Sequence, residues 1–211
     1  MSKPEDIRLL ALLGLRLKGF ADADAVAETV GADEDEISSA LESAESIGLV
    51  SFNEARAVYM LEPVTGRAEG EGLLAAQLDE LGARDTVSQA YQAFLELNGV
   101  MLQLCTDWQV REIEGAQTLN HHTDASYDAT VIARLVELDA ELASVLDVLT
   151  SALDRYHPYQ PRFHNALTQL QAGELDYFTK PLIPSYHTVW FELHEDLLAT
   201  LGIDRAMEGN T

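Results

Sequence analysis

The 211 residues carry 13 Lys and Arg against 36 Asp and Glu, a formal net charge of -23, and 47% of them are hydrophobic. That apolar share can fill a core and excludes a chain disordered over most of its length, while the charge excess disfavours non-specific attraction to nucleic acid or anionic lipid. A single cysteine, Cys105, excludes an internal disulfide framework and makes a reducing, cytoplasmic setting the expectation.

From Glu5 to Lys18 apolar residues stand at 7, 9, 10, 12, 13, 15 and 17, more than one amphipathic stripe requires, which predicts a helix buried on several sides. Arg8 and Arg16 interrupt it, it is too short to span a bilayer, and no small-residue cleavage site follows, so it reads as a core helix. Gly19 and Phe20 stop it. Ala21 to Val30 forms a second, short helix, with Asp22 or Asp24 as its cap and Gly31 closing it. A third begins after Asp33, with Ile37, Leu41, Ala44 and Ile47 on one buried face and Ser38, Ser39, Glu42, Ser43, Glu45 and Ser46 on the other. After Gly48 the period shortens: LVSF, a polar NEAR and AVYML read as a β-hairpin. Three helices and a hairpin make the winged-helix order, with Pro63, Gly66 and Gly70 marking its exit.

The remainder reads as helix: Glu71 to Leu81, Asp85 to about Trp108, Ser126 to about Tyr156, Pro161 to Ala172 and Pro184 to Leu201. Between them, Gln109 to Thr123 is the longest irregular stretch, a length that tends to be functional or mobile. The near-heptad apolar positions from Val131 to Leu153 suit either the spine of a bundle or half of a dimer interface. The expected fold is therefore mainly α. An N-terminal winged helix-turn-helix with a small β-wing, residues 1–70, precedes a helical ligand-sensing or oligomerisation domain, residues 71–211.

The run LALLGLRLKGFADADAVAETVGADEDEISSALESAESIGLVSF, followed by TGRA at 65–68, resembles the winged helix of MarR-like regulators of the actinobacterial type. The resemblance covers about the first third of the chain. The C-terminal segments CTDWQ, SYDATVIARL and SYHTVWFELHEDLLATLGIDR are also similar to those of the same group. It implies DNA binding through the third helix and the wing, tuned by a ligand in many relatives. Ser38, Ser39, Ser43, Arg56 and Arg67 are the candidate DNA contacts. The chain departs from the family where phosphates would be met, because Asp33 to Gly48 holds six acids and neither Lys nor Arg. Relatives usually carry a dimerisation helix ahead of the winged helix, whereas this chain opens directly on it; a homodimer, the expected assembly, would use the C-terminal helices.

Two clusters are candidates for ligand binding. In NHHTDASYD, His121 and His122 with Asp124 offer two imidazoles and a carboxylate, types that can bind a divalent metal, and Trp108 in CTDWQ and Tyr127 join the two histidines as candidate ligand contacts. The preferred reading there is a turn and a helix start capped by Thr123 or Asp124. On the last helix His187, Trp190, Phe191, His194 and Glu195 form one aromatic and ionisable face, which reads either as a pocket wall or as interhelical core. Cys105 reads as a small buried hydrophobe. Without a second His at the position of Leu198 the HE pair at 194 and 195 is not a zincin motif, and no nucleophile elbow, phosphate loop or CxxC is present. No catalytic residue, metal or cofactor is assigned. Two functions stay open: a regulator whose helical domain senses a small molecule or partner, and a non-catalytic adaptor or enzyme subunit whose winged helix docks on protein.

Overall fold

The computed structural model describes residues 6–113 and 115–205, which fold into two compact units, each assembled from separate parts of the chain. The first comprises the described parts of Met1–Val87, Thr150–Pro158 and Glu192–Thr211; the second comprises the described parts of Ser88–Leu149 and Tyr159–Phe191. The fold is mainly helical, with a small antiparallel sheet of three strands and a separate two-stranded one. Among the described residues no helix is long and apolar enough to cross a membrane.

In the first unit, α1 (Ile7–Lys18), α2 (Ala23–Val30) and α3 (Glu34–Ser46) each begin at an aspartate, Asp6, Asp22 and Asp33, whose carboxylate accepts backbone N–H groups of the first turn. Those groups have no partner within the helix, so each cap contributes about 1 kcal/mol. As the dense apolar pattern predicts, every residue of α1 from Leu9 to Leu15 is buried, as is Leu17. The core continues through Val26, Ala27, Val30, Ile37, Leu41 and Ala44. Ile47 is the exception to the expected buried face. It caps the C-terminal end of α3 rather than sitting inside it, and is 58% exposed.

Strands β2 (Val50–Asn53) and β3 (Val58–Leu61) form the expected hairpin, pairing Val50 with Leu61 and Phe52 with Tyr59. A strand that the sequence did not announce, β1 (Phe20–Ala21), adds to β3 and gives the order β1-β3-β2. Two residues are too few for any periodic signal. Helix α4 (Thr65–Leu81) starts six residues before the expected Glu71, so Gly66 and Gly70 lie inside a helix instead of marking an exit. Gly66 is there for close approach: a Cβ on it would stand 2.0 Å from the Leu49 carbonyl oxygen. Thr65 secures the same contact by donating its hydroxyl to the Gly48 carbonyl at 2.7 Å.

The first unit also buries charge. The Arg16 guanidinium sits between Glu71, at 2.8 Å, and Glu195, at 3.0 Å, and Lys18 meets the buried Glu192 at 3.2 Å. Arg155, in the one-turn 3-10 helix Asp154–Tyr156, is almost fully enclosed and donates to Gln77, Asp196 and Thr200 while stacking on the Tyr156 ring.

Helices α5 (Arg84–Gln109), α6 (Ala125–Ala152), α7 (Tyr159–Gln171) and α8 (Tyr186–Leu201) lie within a few residues of their expected spans. The stretch expected to be irregular, Gln109 to Thr123, instead holds a hairpin of β4 (Val110–Ile113) and β5 (Ala116–Leu119), paired from Val110↔Leu119 to Ile113↔Ala116. Its mixed, mostly exposed side chains give no alternation, and the backbone pairing alone defines it. Of the two roles open to the apolar seam of α6, the structure shows the spine. Val131, Leu135, Leu138, Leu142, Val145, Leu146 and Leu149 are already buried within one chain, which leaves them no surface for a second copy.

Gly66→Ala is expected to cost about 1–3 kcal/mol, because the new methyl meets a backbone carbonyl that cannot turn aside. Gly72→Ala, in the same helix with nothing within 4 Å of its Cβ position, should gain about 0.5–1 kcal/mol. Urea unfolding of the two single variants measures both; equal effects of the same sign would remove the close-approach explanation.

Candidate functional site

Trp108, His122 and Tyr127 meet in the second unit, where the end of α5, the β4–β5 hairpin and the start of α6 come together. The buried Trp108 ring lies between Phe178, stacked at 4.5 Å, and the imidazole of His122 at 4.3 Å. Asn120 organises the polar side. Its backbone N–H donates to the Gln109 carbonyl at 2.8 Å, and its side-chain carbonyl accepts the His122 backbone N–H at 3.1 Å. That orients the amide nitrogen toward the Trp108 carbonyl, at 3.1 Å, and the buried carboxylate of Asp128, at 2.8 Å.

The same bonds decide the tautomer of His122. Both amide hydrogens of Asn120 are used, so its 3.2 Å approach to Nδ1 of His122 is not a hydrogen bond. Nδ1 lies 3.1 and 3.2 Å from the two Asp128 oxygens and must itself carry a proton toward them. In the neutral ring Nε2 is then an acceptor held in a fixed direction. The backbone of His122 is left-handed, with φ of 54°, a conformation uncommon for a residue with a side chain and sustained here by these contacts.

The remaining charges near this corner are paired off. Asp124 caps α6 and accepts from Ser126, Arg111 and the Tyr127 N–H, which together hold its carboxyl well below the usual carboxylate range. Arg111 also lies 4.4 Å over the Tyr127 ring, whose hydroxyl donates to the Asp107 carbonyl at 2.8 Å. Arg134 reaches Asp107 at 2.6 Å. His121 is exposed and stands outside the network. Among the described residues no group of three or more His, Cys, Asp or Glu is placed to hold a metal.

His122 and Asp128 form one end of a groove of about 820 Å³. Its floor is the α6 stripe Ala125, Ala129, Ile132, Ala133 and Val136, and its other wall is Leu170, Gln171, Gly173 and Leu175. Glu137 closes the far end. Alanines at four-residue steps leave one face of the helix empty, and that is the source of the space. A smaller cavity of about 370 Å³ holds Asp139 and His164. Burial there raises the Asp139 carboxyl above its ordinary value even though it accepts the Tyr186 hydroxyl at 2.9 Å.

The α8 residues do not contribute to this groove. Trp190 is buried, stacks on Phe94 at 4.8 Å and donates its indole N–H to Asn98 at 2.9 Å, whereas its neighbour Phe191 is exposed. His187 is half-buried, and its backbone N–H donates to the Phe178 carbonyl. In the first unit Glu195 spends its carboxylate on Arg16 and Arg205, and His194 is half-buried. Burial pushes the Cys105 thiol up to about 11, consistent with a small packed hydrophobe rather than a reactive thiol. Sequence reasoning missed Asn120, Phe178 and the pairing role of Asp128. The available signal was Asn120-x-His122 followed by Asp128 in the first turn of a helix.

No family model, curated protein or solved structure matches the chain.

At a pH where His122 is neutral, long-range 1H–15N NMR should show the Nδ1-protonated tautomer, the minority form of free histidine. An Nε2-protonated ring would contradict the Asn120–Asp128 arrangement. Burial lowers the His187 imidazole from its ordinary 6.5, so the unfolded chain binds the proton more readily. This contribution is fully present above pH 6.5 and is lost as pH falls below it. His187→Gln should flatten the decline in urea midpoint between about pH 6.5 and pH 5; an unchanged slope would show that burial of His187 carries no such linkage.

Proposed function

We propose that this chain is a winged-helix protein of the regulator type in which the helical unit binds a small molecule and the winged helix docks on protein rather than reading DNA. The carrying observation is the surface that would face a partner. On α3 the exposed side chains include Glu34, Asp35, Glu36, Glu42 and Glu45, with no basic residue among them. Ser39 and Ser43 are exposed there and Ser38 is partly so. Of the two candidate phosphate contacts outside α3, Arg67 is paired with Glu71 at 3.0 Å, leaving Arg56 in the hairpin turn.

The sheet beside this helix offers apolar side chains where a DNA-binding wing offers cations. Phe20 and Met60 are register partners and are 50% and 41% exposed. Burial first, and then the Glu42 and Glu45 carboxylates, raise the Tyr59 phenol above its ordinary value, so the acids of α3 act on this sheet directly. An acidic rim around exposed apolar residues suits a partner surface that is basic and apolar. The winged-helix reading itself is supported by the order of three helices followed by a hairpin, with β1 completing a three-stranded sheet. The small-molecule half is supported by the groove that ends at His122 and Asp128, whose volume falls in the range of roughly 300–1,000 Å³ usual for such sites.

Fluorescence anisotropy with labelled duplex DNA tests the docking half. The wild type should bind no more tightly than micromolar near physiological salt, as expected of a surface with few phosphate contacts. Replacing Glu42 and Glu45 together by Lys should tighten non-specific binding about tenfold, with a steeper salt dependence. Nanomolar affinity of the wild type for a duplex at that salt would overturn the docking reading and restore the DNA-binding one.

A further inference from the structure

We infer that the ligand of the α6 groove is an organic cation with an apolar body, an amine rather than a carboxylic acid. The inference rests on the reading of that groove as a small-molecule site and adds the chemical class. Its lining contains no Lys or Arg, while Asp128 stands at one end and Glu137 at the other. They stand nine positions apart on α6, about 13 Å along the helix axis, the span of a small elongated molecule. The middle is alanine, isoleucine, valine and leucine, which rewards burial of apolar surface without regard to charge. Charge selectivity therefore comes from the ends.

The two ends differ in what they offer. Asp128 is buried and its carboxylate already accepts from Asn120 and His122, so the available group there is His122, whose only ring acceptor in the neutral form is Nε2. Glu137 is exposed and makes no hydrogen bond or ion pair among the described residues. Arg134 on α6 is committed to Asp107, and Arg111 on β4 to Asp124. An ammonium placed against Glu137 gains an ion pair, and a donor at the far end of the molecule meets His122. A carboxylate in either place meets a carboxylate or a lone pair. The excess of acids in the chain as a whole adds to the preference.

The test uses the full chain and two probes of matched length and apolar body, dansylcadaverine, a primary ammonium, and N-dansyl-6-aminohexanoate, a carboxylate. Dansyl emission reports entry into an apolar environment. The ammonium probe should bind about fivefold more tightly than the carboxylate at low salt, the scale of one partly solvated ion pair, and the preference should shrink as salt is added. Glu137→Gln should remove most of that preference, weakening the ammonium probe through the lost ion pair and tightening the carboxylate probe through the lost repulsion. Ala129→Phe, at an exposed position on the groove floor, should abolish binding of both probes, with circular dichroism showing the fold retained. If Ala129→Phe unfolds the chain, Ala133→Phe, also exposed, takes its place. Equal or tighter binding of the carboxylate probe that Ala129→Phe still abolishes would overturn the cation assignment and leave the groove reading standing. Failure of both probes to bind, or binding indifferent to the groove-filling variants, would overturn both.

Discussion

The first unit depends on the environment of one guanidinium. Its three chain segments are joined in part by Arg155, which reaches Gln77 on α4 and Asp196 and Thr200 on α8 while lying over Tyr156. A buried cation is costly to desolvate, and only a full set of acceptors offsets that cost. Here every contact serves, and loss of Asp196 would leave the charge buried without its counter-ion. Apolar packing of α1 to α3 is tolerant of small shifts, but a guanidinium fork with partners on separate segments is not, so Arg155 sets how those segments meet.

The second unit applies the same logic to a neutral group. Asn120 makes four hydrogen bonds that tie together three places: two to the end of α5, one to the turn after β5 and one to the first turn of α6. That leaves His122 no freedom in backbone or tautomer. A side chain in a left-handed backbone conformation, packed against a buried tryptophan and paired with a buried carboxylate, is pre-organised to present one acceptor atom. The rigidity lies beside a groove whose floor is alanine, so an ordered polar end adjoins an apolar slot, the combination that fixes a ligand's orientation and rewards its burial.

Charge has opposite uses within the first unit. On α3 the acids lie on the exposed face and define what the surface repels, while Arg8, Arg16 and Arg67, which a sequence count would offer to a phosphate, are drawn into ion pairs with Glu69, Glu71 and Glu195. Acidic residues exceed basic ones nearly threefold, so a cation here is more readily an internal partner than a free surface group.

The sequence by itself determined the helices and the sign of the surface. Aspartate caps, glycine stops and three- and four-residue apolar steps are local, and α1, α2, α3 and the hairpin after Gly48 lie where they predict. The acidic face of α3 follows from the spacing of its apolar residues and the acids that stand between them. What tertiary structure decided are the features that depend on residues far apart in the chain. Phe20 becomes a strand because Met60 is beside it, Gly66 belongs inside a helix because the Leu49 carbonyl is in contact, and the stretch after Gln109 is a hairpin although its side chains do not alternate. The candidate site belongs to this second class. Trp108, Asn120, His122, Asp128 and Phe178 have no common period, and the α8 face that helical spacing does assemble is divided between a buried Trp190 and an exposed Phe191. Periodicity records which face of an element is apolar; only folding decides which faces are covered and which hydrogen-bonding groups then find one another.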